Sequence, residues 1–346
     1  MSVSPLTPLR PLRAVISGYG LAGRYFHGPF LRAAGFDVVA ASTKNSERIA
    51  HLKEDFPAAV AVSSIDELLE FTPDLLVVAS ANVAHAPEAI AALRAGVAVV
   101  VDKPMGRSYE EAKAIVDVAR ETGTPLTTFF NRRWDSDALT IKKALSEGIL
   151  GNVFRLDSRF ERFRPDANPH SWRERSTAAE GGGNLLDLQP HLISLALDWF
   201  GPAQLVHASV RSIRGLSDDD VVVVLRHDSG VDSYLSASAI VGAPGPRIRL
   251  MGDKGALLIT ELDKQEALLR RGIFPTSSGW NVDTKTPATI FLGDKSHEYE
   301  SVSGDYTHFY RDVAAAIRGE GAMPVSLEDA LEVSRLIDQA REVSIR

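Results

Sequence analysis

Arg13-Ala14-Val15-Ile16-Ser17-Gly18-Tyr19-Gly20-Leu21-Ala22-Gly23 is an apolar run met at once by glycines at 18, 20 and 23. Residues 13–17 are short and partly β-branched, which suits one buried parallel strand. Residues 22–34 can form a helix. In a strand–turn–helix that holds a dinucleotide, each glycine has a task. Gly18 permits the tight turn out of the strand, Gly20 lets the backbone approach a pyrophosphate, and Gly23 lets the helix pack closely on the strand. The phosphates sit at the helix N-terminus, here Leu21 and Ala22.

Downstream, strand and helix patterns alternate with short connections. Strands are expected at 37–42, 58–62, 74–79, 97–101 and 125–130, with helices at 45–56 and 87–95. Ser64-Ile65-Asp66-Glu67 and Ser108-Tyr109-Glu110-Glu111 are capping boxes that open two more helices, the second ended near Gly123. This is the pattern of a doubly wound parallel sheet, and it predicts a Rossmann domain over 1–131. After a helix at 135–147 the rhythm changes. Strand patterns at 153–160, 204–213, 219–227, 231–239, 247–251 and 256–260 follow, interrupted by one helix at 185–200. Two helices, 306–318 and 326–341, close the chain. The expectation is an α+β domain over 132–346 with a large, mostly antiparallel open sheet, its last helices able to pack back on the first domain.

Composition narrows the function classes. The 346 residues are 45% hydrophobic and 24% charged, with a net charge of −7, and basic residues form no stripe. That argues against nucleic acid or an anionic membrane as partner. With no cysteine, thiolate chemistry and Cys-ligated metals are excluded. No apolar run approaches the ~18 residues of a membrane span. Residues 1–11, with prolines at 5, 8 and 11, read as an arm rather than a signal peptide, and a cytoplasmic location is expected.

Three stretches carry candidate chemistry. Strand two ends in Ser42-Thr43-Lys44, where an acidic residue would bind the ribose 2′-hydroxyl of NAD; two hydroxyls and an ammonium favour the 2′-phosphate of NADP, with NAD possible. Lys103 of Asp102-Lys103-Pro104 follows the strand at 97–101, at the sheet end where ligands bind, and can donate to a substrate oxygen. Asp187 and His191, after Gly181-Gly182-Gly183, are four apart and share a face if helical, which suits a general base and its orienting carboxylate. Further cofactor contacts are expected from Ser80, Asn82 and His85 in the loop after 74–79, and from Asn131 and Arg132 after 125–130. Trp172 and Arg173, in a polar loop, suit a lid over the nicotinamide. Arg159, Arg162 and Arg164 can reach an acidic group or an interface, and Tyr306 can face substrate. No metal is expected, because lysine and histidine cover the charge that develops.

The whole order, glycine turn, Asp-Lys-Pro, then Gly-Gly-Gly followed by Asp-x-x-x-His, resembles the Gfo/Idh/MocA family of sugar and polyol oxidoreductases. The runs Val101-Asp102-Lys103-Pro104-Met105, Asn131-Arg132-Arg133-Trp134-Asp135-Ser136-Asp137 and Arg162-Phe163-Arg164-Pro165 are similar to its NADP-dependent scyllo-inositol dehydrogenase branch. The resemblance implies Lys103 as catalytic lysine and Asp187 and His191 as its partners. It also implies a cyclic polyol or sugar such as an inositol as substrate, with a homodimer or homotetramer formed through the C-terminal sheet. Another sugar, a cyclic ketone, or a non-catalytic NAD(P)-binding sensor stand as alternatives.

Overall fold

The computed structural model describes residues 10–168, 172–177, 180–215, 217–278, 280 and 284–344, the side chains of Trp172 and Arg173 excepted. Most of the expected N-terminal arm, residues 1–9, lies outside them.

The first half is built on a six-stranded parallel sheet of order β3-β2-β1-β4-β5-β6. Its strands are β1 (Arg13–Ser17), β2 (Asp37–Ser42), β3 (Val60–Val62), β4 (Leu75–Val78), β5 (Ala98–Val101) and β6 (Leu126–Thr128). Every residue of β4 and β5 is buried, as continuous apolar strands covered on both faces must be. Around the sheet lie α1 (Gly28–Ala33), α2 (Ser46–Asp55), α3 (Ile65–Leu69), α4 (Asn82–Arg94) and α5 (Tyr109–Thr122). Both expected capping residues act: Ser64 accepts from Glu67 N–H at 3.3 Å and Ser108 from Glu111 N–H at 3.2 Å. Gly123, in the left-handed region at φ 65°, ends α5.

Two expectations need correction here. The helix after the glycines opens with a π-helical stretch, Ala22–His27, before α1. The helix expected from residue 87 begins at Asn82, with Pro87 inside it, so Asn82 and His85 belong to a helix rather than a loop. Tertiary hydrogen bonds hold the extra turn, from Asn82 Nδ2 to the Gly181 carbonyl at 3.0 Å and between His85 Nδ1 and the Pro104 carbonyl at 2.9 Å. They offset the backbone bond that the proline lacks.

A short helical turn (Asn131–Trp134) and α6 (Ser136–Ser146) lead into the second half. Its eight-stranded sheet has the order β14-β13-β12-β11-β7-β10-β9-β8. These strands are β7 (Val153–Glu161), β8 (Ala203–Arg211), β9 (Asp220–His227), β10 (Asp232–Ser238), β11 (Ile248–Gly252), β12 (Gly255–Ile259), β13 (Ala288–Leu292) and β14 (Lys295–Tyr299). All neighbours run antiparallel except β7 and β10. The hairpin β13–β14 is not foreshadowed by the strand patterns, because its outer strand, Lys-Ser-His-Glu-Tyr, lacks apolar alternation and is exposed up to the buried Tyr299. Among the described residues the remaining helices are α7 (Trp172–Arg175), α8 (Asn184–Asp187), α9 (Gln189–Phe200), α10 (Gln265–Arg270), α11 (Thr307–Ile317) and α12 (Leu327–Ser344). Trp172 and Arg173 thus fall in one helical turn, not a loop.

The helix expected at 185–200, for which Pro190 also allows a start at 186–189, is two, broken at Leu188, with Pro190 in the favoured first turn of the second. Helix α12 packs on α5, α9 and β8 and so clamps the halves together. Thr127 and the Val325 backbone bond each other in both directions at 3.0 and 3.2 Å, fully buried at the same seam. Among the described residues, no helix is long and apolar enough to cross a membrane.

Candidate active site

Two of the three glycines of the turn are held by contacts that leave no room for a side chain. Gly18 has φ +88°, and a Cβ there would stand 2.7 Å from the Ala79 carbonyl oxygen. At Gly23 a Cβ would meet the Gly18 carbonyl oxygen at 2.2 Å. Gly23→Ala therefore forces the helix off the strand. The expected result is a loss of about 1–3 kcal/mol of stability in thermal unfolding, together with weakened nucleotide binding. Gly20 is open, with the Arg48 guanidinium 3.5 Å from its Cβ position. A side-chain-free turn, a helix start and a nearby cation fit a dinucleotide phosphate chain. The backbone of residues 18–23 would hold it.

Ser42 works inward: its Oγ accepts from Gly18 N–H at 3.2 Å and lies 3.2 Å from Ser17 Oγ. Thr43 Oγ1 accepts from Asn45 N–H at 3.3 Å. Lys44 and Arg48 are exposed, and Arg48 was missed by sequence reasoning. The signal was present, since Asn45 caps α2 through Arg48 N–H and so places residue 48 one turn in, back over the glycines.

Lys103 emerges from the carboxyl end of β5, with a cis peptide bond to Pro104. Its Nζ donates to the Asp187 carboxylate and to the Asp187 carbonyl, each at 2.7 Å. Before it, Asp102 accepts from Lys103 N–H at 2.8 Å. Burial alone would raise the Asp102 carboxyl; His27 and Lys103 outweigh it and hold the group below its usual value. His27 lies beneath, its Nε2 3.9 Å from Asp102 and its Nδ1 2.5 Å from the Tyr310 hydroxyl.

His191 sits in the first turn of α9. It is buried, and its Nδ1 has no hydrogen-bond partner among the described residues. Burial, then Lys103, Arg132 and Arg247, push its pKa well below 6.5. The ring is therefore neutral near pH 7. Asp187 ends α8 and His191 stands in the first turn of α9, either side of Leu188, and the Asp187 carboxylate binds the Lys103 ammonium. Leu185 N–H at the start of α8 donates to Asp218 at 2.7 Å, an acid that burial pushes up to about 6.

Lys103, Asp187, His191, Asn131 and Arg132 line one cavity of about 950 Å³ that also reaches Leu21 and Ala22. Arg132 is pinned by Asp135 at 3.0 Å and lies 5.1 Å from the Phe160 ring centre. Arg247, unassigned from sequence, is buried over the same ring at 4.1 Å.

Other residues expected to touch cofactor or substrate have partners within the fold. Ser80 Oγ donates to Glu88 at 2.7 Å, and Asn82 ties α4 to Gly181. His85 is spent on the turn at Pro104 and lies in the protein interior. Tyr306 is fully buried outside the lining of this cavity, and its hydroxyl binds Asp135. The side chains of Trp172 and Arg173 lie outside the described residues.

Comparison with known proteins matches this geometry at both halves. Residues 12–130 match a family model described as an oxidoreductase family, NAD-binding Rossmann fold, and residues 142–344 one described as an oxidoreductase family, C-terminal alpha/beta domain. The chain is 34% identical over 340 residues to scyllo-inositol 2-dehydrogenase (NADP(+)) IolW of Bacillus subtilis (strain 168), covering 96% of this chain and 94% of that one. It is 25% identical over 349 residues to a D-apiose dehydrogenase of Paraburkholderia graminis, covering 96% and 87%. The solved oxidoreductase yvaA from Bacillus subtilis superposes with a TM-score of 0.89 at 31% identity, covering 98% of each chain.

Proposed function

The chain belongs to the Gfo/Idh/MocA family of NAD(P)-dependent oxidoreductases, and we propose that it interconverts a secondary alcohol and a ketone on a cyclic polyol or sugar, with NADP preferred. One observation carries the reading: the glycine turn, the Lys103 ammonium and a neutral His191 open onto one cavity. The nicotinamide, when bound, supplies the hydride acceptor or donor.

The remaining work falls to the chain's own groups. Lys103 donates a hydrogen bond to the substrate oxygen and stabilises negative charge there. His191, kept neutral by burial and three neighbouring cations, takes the hydroxyl proton in oxidation and returns it in reduction. Asp187 holds the Lys103 ammonium at 2.7 Å and so fixes where that charge stands. Asn131 and Arg132 close the cavity wall beside them. Scyllo-inositol is the first substrate to try, since the relative named above acts on it.

Initial rates with scyllo-inositol, myo-inositol and glucose, each with NADP and with NAD, test the proposal. Turnover of a polyol or sugar is expected. Tight cofactor binding without turnover on a broad panel would put the sensor reading in its place.

The NADP preference rests on Lys44 and Arg48, exposed cations beside the glycine turn where a 2′-phosphate would be met by opposite charge. Replacing both by glutamine is expected to raise KM for NADP about 10–100-fold and to leave KM for NAD within a few fold. Equal effects on both cofactors would discard the preference while leaving the chemistry untouched. Self-association is proposed through the outer face of the large sheet, where Arg155 stacks 4.3 Å from the Tyr234 ring centre and Asp157 gathers Arg155, Arg159 and Arg249. Light scattering reads it directly.

A further inference from the structure

Beyond β7 the chain stays extended. Arg162 N–H donates to the Ser238 carbonyl at 3.0 Å, Val241 N–H to the Arg162 carbonyl at 3.0 Å, and Arg164 N–H to the Ala239 carbonyl at 2.6 Å. Phe163 pairs with Ile240 across the gap. Side chains alternate along such a segment, so Phe160, Arg162 and Arg164 share a face and Phe163 takes the other. Phe163 is 61% exposed, and Arg162 and Arg164 are also open to solvent. On the inside, Phe160 lies edge-on to His191 with ring centres 6.3 Å apart. Arg162 and Arg164 continue that face, and both line the cavity that holds Lys103 and His191.

What distinguishes these two arginines is the state of their charge. Neighbouring cavity arginines are matched by carboxylates: Arg159 by Asp157 at 3.3 Å, Arg214 by Asp219 at 3.0 Å, Arg247 by Asp137 at 3.0 Å, and Arg132 by Asp135 at 3.0 Å. The side chains of Arg162 and Arg164 have no carboxylate within ion-pair distance among the described residues, and neither makes a side-chain hydrogen bond there. Two like charges held side by side on one strand repel, which disfavours the arrangement unless an anion enters between them. In the same cavity, Arg247 Nη2 is buried with no hydrogen-bond partner among the described residues.

We propose that Arg162 and Arg164 form an oxyanion subsite, so that the polyol or sugar taken by this cavity carries a phosphate or carboxylate group. The proposal rests on the reading of the cavity as the substrate site. Guanidinium forks match the planar or trigonal oxygen edges of both groups. The alcohol to be oxidised lies at Lys103 and His191, and the anionic substituent lies away from the reacting carbon, toward the strand end at residue 164. A neutral polyol fits the same cavity and reacts, but leaves the two arginines unmatched.

The test separates binding from turnover. The protein is first saturated with NADP, so that its cofactor phosphate sites are filled, and inorganic phosphate is titrated in by calorimetry. Wild type is expected to bind it, and the Arg162→Gln/Arg164→Gln double variant to bind at least about 10-fold more weakly, with unchanged thermal unfolding and NADP affinity. Absent binding to wild type, or equal binding to both, overturns the subsite.

The second arm compares kcat/KM for a neutral cyclic polyol, its monophosphate and a hexuronate. Whichever anionic compound is preferred by wild type should lose that preference in the double variant, which tells phosphate from carboxylate. An equal fall for all three compounds would make the arginines a structural feature and overturn the proposal. Arginine-dependent phosphate binding with no turnover of any compound would uphold the subsite and reject the catalytic reading.

Discussion

Lys103→Met lowers kcat by about 10³-fold or more while NADP affinity stays within a few fold of wild type, if the lysine stands at the reacting oxygen. Methionine keeps the unbranched apolar stem and removes only the donor, so the loss reports the ammonium and not the packing. The folded state should tolerate the change. Asp187 loses a partner at 2.7 Å, but its side chain is 27% exposed and water can replace the ammonium. Breaking a largely buried pair costs more than breaking a surface one, on the order of 1–3 kcal/mol with water reaching Asp187, so the melting temperature should fall by several degrees while the fold persists. The two outcomes are thus well separated: a large kinetic effect on an intact fold, measured by initial rates beside fluorescence titration of the reduced cofactor. Lys103→Arg keeps the charge on a longer, planar fork and should recover only part of the rate. Near-normal turnover by the methionine variant would remove Lys103 from the mechanism, and with it the proposed chemistry.

The parts of the fold visible in the sequence are those whose cause is local. The run at 13–17 with its glycines, and the serines at 64 and 108, act through residues within one turn of themselves, and the structure uses them as read. The parts that escaped have distant causes. Helix α4 starts five residues before the expected point because His85 and Asn82 bond to residues 104 and 181. The pairing of Asp187 with Lys103 joins residues 84 positions apart, and no spacing rule within the stretch 181–191 reveals it. Arg132, Asn131 and Lys103 could be placed at strand ends from pattern alone. Arg48 could have been placed from the Asn45 cap of α2, but Arg247 could not, because its relevance comes from the Phe160 ring and Asp137 that it packs against.

His191→Asn carries the second large effect. Asparagine keeps a polar group of similar reach but cannot take a proton near neutral pH, so kcat for alcohol oxidation should fall by about 10²–10⁴-fold. The wild-type pH profile then identifies the group. Burial and the charges of Lys103, Arg132 and Arg247 hold the imidazole well below 6.5, so the base stays unprotonated through neutrality. Rates should be level on the neutral side and fall only when the pH drops below the ordinary histidine range, and this acid limb should be missing in His191→Asn. Stability follows the same linkage with a definite sign. In the unfolded chain the imidazole takes up its proton at its ordinary 6.5, while in the folded chain it does so only at lower pH. The unfolded state therefore binds more protons as the pH falls below 6.5, and the histidine's contribution to stability, complete above that value, is lost below it. Removing His191 should flatten that part of the melting-temperature curve, while the rest of the acid unfolding, set by carboxylates such as Asp102 and Asp157 whose values are held low, persists. A variant that lost activity but kept both the acid limb in residual rate and the slope in melting temperature would assign the proton to some other group. Lys103 lines the same cavity, and the roles of the two residues would then have to be exchanged.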